Sequence, residues 1–211
     1  MAISSSQADS VSAPAPASAP VSAPARPGLT VAVIGSARLT PPDPRCVLAE
    51  QIGAAIAARG WAVMTGGYGG LMEVTSRAAA QAGGTVIGLP MRGWTALTPN
   101  RWNHELRWSD TYPERLAHLL AADAMIALDG GIGTLSEAAL AWSALQTEPT
   151  AAELIFLGGG WPPVLRALAD HLVIDARDLA CATVCADPDE AIAQIAASQR
   201  GRTRAAGQPR G

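Results

Sequence analysis

The segment Leu128-Asp129-Gly130-Gly131-Ile132-Gly133-Thr134-Leu135-Ser136-Glu137 constrains this chain more than any other stretch. An apolar run, Ala124 to Leu128, stops at a cluster of glycines. A helical pattern then starts at Thr134 and continues through Leu135, Ala138, Ala139, Trp142 and Leu145. A strand that turns through glycines into a helix aims free backbone N–H groups and the positive end of a helix dipole at one point. Such a point attracts phosphate, and glycines let a ligand approach the backbone closely. Glu137 falls one helical turn inside, within reach of whatever the phosphate carries.

The same grammar runs through the chain. Strands are expected at residues 29–34, 61–64, 85–89, 124–128, 154–157 and 172–174. Helices are expected at 46–59, 71–82, 112–121, 134–145, 162–169 and 188–197, and residues 91–110 read as one long loop. Short apolar strands alternating with helices imply a parallel sheet buried on both faces. The expected fold is therefore a single α/β domain, a Rossmann-like parallel sheet wrapped by helices on both faces, over residues 29–198. Residues 1–28, rich in Ala, Pro and Ser, read as a disordered tail, as do residues 199–211.

Composition excludes several classes. Of the 211 residues none is lysine, so all fifteen basic side chains are arginine. That removes pyridoxal phosphate chemistry, which needs a lysine Schiff base, and the GxxxxGK[ST] P-loop. Formal charge is -3 and the arginines are scattered, so no nucleic-acid face is expected. Cys46, Cys181 and Cys185 lack paired metal spacing, and His104, His118 and His171 form no ligand pattern. No metal is therefore expected, and the thiols read as reduced and cytosolic. No secretory leader pattern and no apolar run of membrane-spanning length is present, so a cytoplasmic protein with no membrane partner is the expectation.

Right-handed crossovers bring three glycine-bearing turns to the carboxyl edge of the sheet: Gly35-Ser36, then Gly66, Gly67, Gly69 and Gly70, then Gly130, Gly131, Gly133 and Thr134. Each is compatible with a plain strand–helix turn. Four glycines in five residues are more than a plain turn requires, however. A dinucleotide fingerprint would place G-x-G-x-x-G after the first strand, where this chain has only Gly35-Ser36-Ala37-Arg38.

Residues 130–137 match the GGxGTxxE motif of the LOG family. Gly66-Gly67-Tyr68-Gly69-Gly70-Leu71-Met72 resembles the family's other glycine loop, and residues 83–90 resemble its next strand. The resemblance spans residues 31–157. It implies a nucleoside 5′-monophosphate phosphoribohydrolase, which hydrolyses the N-glycosidic bond to free base and ribose 5-phosphate without a cofactor or metal. It also implies a homodimer. The family was once labelled lysine decarboxylase, and its relatives include molybdenum cofactor carriers. The alternative is therefore a non-catalytic nucleotide or cofactor carrier on the same scaffold.

By that resemblance, phosphate would sit on Gly130, Gly131, Gly133 and Thr134, with Gly35, Ser36 and the Gly66–Gly70 turn beside it. Glu137 would act at the ribose. Without the resemblance, Glu137 is a first-turn carboxylate favouring its own helix dipole. The family's catalytic arginine lies in an Arg-Lys pair one helix upstream. Counting back from Asp123, those positions hold Glu114-Arg115. Arg115 is thus displaced by one residue, about 100° around a helix. It is the candidate partner, with Arg107 second, and a surface arginine paired with carboxylates is its plain alternative. Asp129 stands where the family has proline, and a carboxylate there would repel phosphate unless it caps the turn. Trp94, Trp102 and Trp108 could stack on a base, pack the loop down or form a subunit contact.

Overall fold

The computed structural model describes residues 28–148 and 152–206. The predicted N-terminal tail before Gly28 and the last residues, 207–211, lie outside the described residues. Seven parallel strands form one sheet in the order β4-β3-β2-β1-β5-β6-β7. They are β1 (Thr30–Ile34), β2 (Ala62–Thr65), β3 (Val86–Gly88), β4 (Glu105–Leu106), β5 (Ala124–Ala127), β6 (Glu153–Leu157) and β7 (Thr183–Cys185). The helices are α1 (Arg45–Ala58), α2 (Leu71–Gln81), α3 (Tyr112–Leu120), α4 (Ile132–Thr147), α5 (Trp161–His171), α6 (Ala176–Leu179) and α7 (Pro188–Ala206).

Alternate residues of each strand feed two cores. Val31 and Val33 of β1 face Ile52 and Ile56 of α1, Val74 of α2 and Ile195 of α7. Ala32 and Ile34 face the other way, toward Leu119 of α3, Trp142 of α4 and Leu165 of α5. This period of two, with both faces covered, is why the strands read as continuous apolar runs. Ile126, Leu154 and Ile155 are fully buried. Removing such a side chain from water contributes roughly 1.5–3 kcal/mol.

The topology fixes where a ligand can sit. From β1 the chain steps outward through β2 and β3 to β4, then returns to place β5 on the other side of β1. The turns after β1 and β5 consequently diverge and leave a crevice at the carboxyl edge. They remain tied at its base, where Ser36 N donates to Asp129 O at 3.2 Å, and Leu71 N binds Ser36 O at 2.8 Å.

Three sequence expectations need correction. The 91–110 loop contains β4, a two-residue exposed strand paired with Ile87 and Gly88, too short to leave a periodic signal. Residues 172–174 are not a strand: Val173 is fully exposed, and β7 takes the place beside β6. The cause lies just downstream, where Asp175 and Asp178 form a reciprocal capping box that commits the chain to α6. Finally, α7 continues to Ala206, beyond the tail boundary expected at residue 199.

Candidate active site

The long loop is fastened to the second glycine turn by side-chain amides. Asn100 Nδ2 donates to Gly67 O and Tyr68 O, and Asn103 Nδ2 donates to Gly67 O and Asn100 O, at 2.8–3.1 Å. Tyr68 Oη accepts from Met91 N at 2.8 Å. These bonds hold Trp94 over the cleft, with its ring 5.9 Å from that of Tyr68 and 6.2 Å from that of Tyr112.

Two helices then present charged residues on their inward faces. The buried positions of α4 are Thr134, Glu137, Ala138, Ala141 and Trp142, a single helical stripe. Those of α3 are Arg115 and Leu119. Thr111 caps α3 by accepting from Glu114 N, and Pro113 sits in its first turn, so the start of α3 is set by local chemistry. Arg115 Nη1 donates to Glu137 Oε1 at 2.7 Å, with 5% and 11% of the two side chains exposed. Arg115 Nε donates to Leu89 O at 2.9 Å, and its guanidinium lies 5.4 Å from the centre of the Trp94 ring and 6.0 Å from that of Tyr112. An ion pair buried this far persists only when its remaining polar groups are satisfied. Leu89 O takes the Arg115 Nε–H, while Arg115 Nη2 and Glu137 Oε2 have no hydrogen bond among the described residues and are left for a ligand or water.

The pair forms one wall of a cleft of about 480 Å³, within the size range of small-molecule sites. Gly35, Ser36, Arg38, Met72, Gly131, Gly133 and Thr134 also line it, and Met72 Sδ lies beside the Arg115 guanidinium. Gly130, Ile132 and Gly133 are exposed, and among the described residues no hydrogen bond takes the N–H of Ile132, Gly133 or Thr134 at the start of α4. Thr134 is buried, its side chain directly beneath Gly130, where a Cβ would collide with it.

The remaining predicted residues separate by position. Gly66, Gly67, Gly69 and Gly70 do not line the cleft. Gly66 lies against Arg115, where a Cβ would strike Nη2 and come within 2.7 Å of Met72 Sδ. Gly70, at φ 72°, packs against the backbone of Ser36 and Ala37. The second glycine turn thus makes room for the arginine and for the first turn. Arg107 pairs with Glu105 at 2.7 Å, away from the cleft. His104 Nδ1 accepts from Val86 N and splints β3 to the loop. Asp129 Oδ1 accepts from Gly160 N at 3.3 Å, which ties the turn after β5 to the one after β6. Among the described residues no group of His, Cys, Asp and Glu is arranged to hold a metal. Nor is any described helix long and apolar enough to cross a membrane.

Sequence reasoning did not identify Arg38, Met72 or Tyr112 as cleft residues. Arg38 carried a usable signal, being two residues past Ser36 in the first glycine turn. Tyr112 had none apart from its place at the start of α3.

A doubly covered parallel sheet with glycine turns flanking its switch point defines a Rossmann-like α/β protein. The chain belongs to the SLOG cluster4 family, whose model matches residues 28–147. It is similar to the cytokinin riboside 5′-monophosphate phosphoribohydrolase of Mycobacterium tuberculosis, with 39% identity over 100 residues, 46% of this chain and 53% of that protein. The matched stretch thus spans about half of that relative. The protein of the same name from Rhodococcoides fascians is 32% identical over 159 residues, 70% of this chain and 79% of its own. In structure, the chain resembles the molybdenum cofactor carrier protein of Chlamydomonas reinhardtii, with a TM-score of 0.64 and 25% identity over 80% of this chain and 98% of that one.

Proposed function

We propose that the protein is a phosphoribohydrolase acting on nucleoside 5′-monophosphates. The observation that carries this reading is the buried Arg115–Glu137 ion pair on the wall of the cleft, with Glu137 Oε2 left for a ligand. The 5′-phosphate lies on the amides of Gly131, Gly133 and the first turn of α4, with the Thr134 and Ser36 hydroxyls nearby. The ribose then falls over Glu137, and the base reaches toward Trp94 and Tyr112, whose rings offer a stacking surface.

The chemistry follows from this placement. As the N-glycosidic bond lengthens, positive charge develops on the ribose ring. The Glu137 carboxylate stabilises that charge and orients a water toward C1′. The water oxygen bonds to C1′ and gives up one proton, the C1′–N bond breaks, and the base departs with the bonding pair and takes up one proton, so that water is added across the bond. The phosphate ester is untouched, so the products are free base and ribose 5-phosphate. Arg115 is a positioning residue here: held by Leu89 O, it fixes the rotamer of Glu137. The phosphoribohydrolase names of the similar proteins support this reading.

A second reading, a non-catalytic carrier, is favoured by the structural likeness to the molybdenum cofactor carrier protein, which extends over nearly all of that chain. One experiment separates the two. The protein is incubated with a panel of nucleoside monophosphates, ribose 5-phosphate is followed, and the assay is repeated with Glu137→Ala. Release that depends on Glu137 supports the hydrolase. Binding without release from any nucleotide supports the carrier.

A further inference from the structure

The cleft does not end at Gly131. On the other side of this residue lies a second cavity of about 380 Å³, lined by Arg45, Asp129, Gly130, Gly160 and Trp161 among others. Ser36, Arg38 and Gly131 line both cavities. The amides assigned to the 5′-phosphate therefore stand at a shared wall, with the sugar and base on one side and unfilled space on the other. A nucleoside monophosphate leaves the second cavity empty.

The two arginines at this cavity differ. Arg45 is clamped by Asp43 through bonds of 2.9 and 2.8 Å, and that carboxylate together with Asp129 favours its charged form. Arg38 is exposed, and its guanidinium has no hydrogen bond or carboxylate partner among the described residues. Its Nη2 lies 3.3 Å from where a Cβ on Gly131 would stand, directly beside the phosphate amides. A guanidinium carries five donors and stays charged, so an unpartnered one at an anion-binding turn is suited to a second phosphate. Asp129 is the lone carboxylate on the wall. It accepts from Gly160 N, and because Arg45 is already held by Asp43, Arg38 is the lining guanidinium whose donors are left for a ligand among the described residues.

We propose that the ligand's phosphate end continues past Gly131 and that the site takes a nucleoside 5′-diphosphate. Its α-phosphate lies on the Gly131–Thr134 amides and its β-phosphate on Arg38. The inference rests on the nucleotide reading of the cleft. It extends that reading from the monophosphates of the similar enzymes' names to diphosphates.

The test is calorimetric titration of the full chain with AMP and ADP, GMP and GDP, and CMP and CDP. For the base bound best, the diphosphate is expected to bind about tenfold or more tightly than the monophosphate. Arg38→Ala is expected to bring that ratio to about one, and Arg38→Lys to restore part of it. Arg38 is exposed and holds nothing else in place, so both variants fold. A monophosphate bound as tightly as its diphosphate overturns the proposal, as does a diphosphate preference that survives Arg38→Ala. If monophosphates are bound and cleaved but diphosphates gain nothing, only this inference fails. If no nucleotide binds, the proposed function falls with it.

Discussion

Arg115 Nη1 stands 2.7 Å from Glu137 Oε1, and this contact joins the helix before β5 to the helix after it. Neither residue is where burial alone would put a charge. Each occupies the inward stripe of its helix, where Leu119 and Ala138 are the neighbours. Desolvating both groups is costly, and a well-packed apolar pair would serve stability at least as well. Their presence on the wall of a solvent-connected cleft at the switch point is the feature that a ligand explains.

Breaking the pair has two separable consequences. Arg115→Ala leaves the Glu137 carboxylate buried without its partner, at a cost of about 3–5 kcal/mol in unfolding free energy. Glu137→Gln keeps an acceptor for Arg115 and costs less. Both variants lower base release by about 10²-fold or more if Glu137 acts on the ribose. Denaturant melts and a product assay on the same preparations measure the two effects.

Gly66→Ala tests the positioning role from outside the cleft, since Gly66 itself does not line it. The added methyl group displaces the Arg115 guanidinium and Met72 Sδ. Turnover is expected to fall with Glu137 intact, while nucleotide affinity, measured by titration, changes little.

Gly133→Ala separates ligand approach from folding. A Cβ there meets nothing within 4 Å, and φ is not positive. Replacing glycine near a helix start is expected to leave stability unchanged or raise it by up to about 1 kcal/mol. Phosphate approach to the amides is hindered, so inorganic phosphate and nucleotides should both bind more weakly, with no fall in Tm.

Cys185 provides a pH test of the packing between β7 and α7. Burial pushes its thiol pKa up to about 11, with Glu190 and Glu153 adding to the effect. In the unfolded chain the thiol ionises near pH 9, so the folded state loses a stabilising contribution as pH rises from about 9 through 11. Below that window the contribution is fully present. Melts across pH 8–11 should show this alkaline loss, and Cys185→Ala should remove it. Thiol labelling at pH 8 should find Cys181 fast, and Cys46 and Cys185, both buried, slow.

Where the residues announce themselves, the fold is legible in the sequence. Buried parallel strands are continuous apolar runs, so β1, β2, β5 and β6 fall within a residue or two of expectation. The glycine turn after β5 was legible for the same reason: backbone that must approach another group closely leaves a compositional trace. Edge structure left no such trace. β4 pairs two exposed residues with a neighbour, and β7 was chosen over residues 172–174 by a capping box rather than by hydropathy. At the site, Glu137 could be read from its spacing to Thr134. That Arg115 reaches it could not be read, because counting from a neighbouring motif does not say which side of α3 faces inward. The buried pair Arg115 and Leu119, four residues apart, decides that. The glycine density of the Gly66–Gly70 turn has a packing cause that the sequence does not display: three of its four glycines are buried against Arg115, the first turn or β3.

In the proposed reaction the carboxylate paired with Arg115 drives cleavage of an N-glycosidic bond. Its most direct test is single-turnover chromatography of a bound nucleoside monophosphate on wild-type protein and on Glu137→Gln. Wild type is expected to yield equal amounts of free base and ribose 5-phosphate, and the variant to bind the nucleotide but release base at least about a hundredfold more slowly. Equal release from both proteins, or tight binding by wild type with no cleavage of any nucleotide, would contradict it.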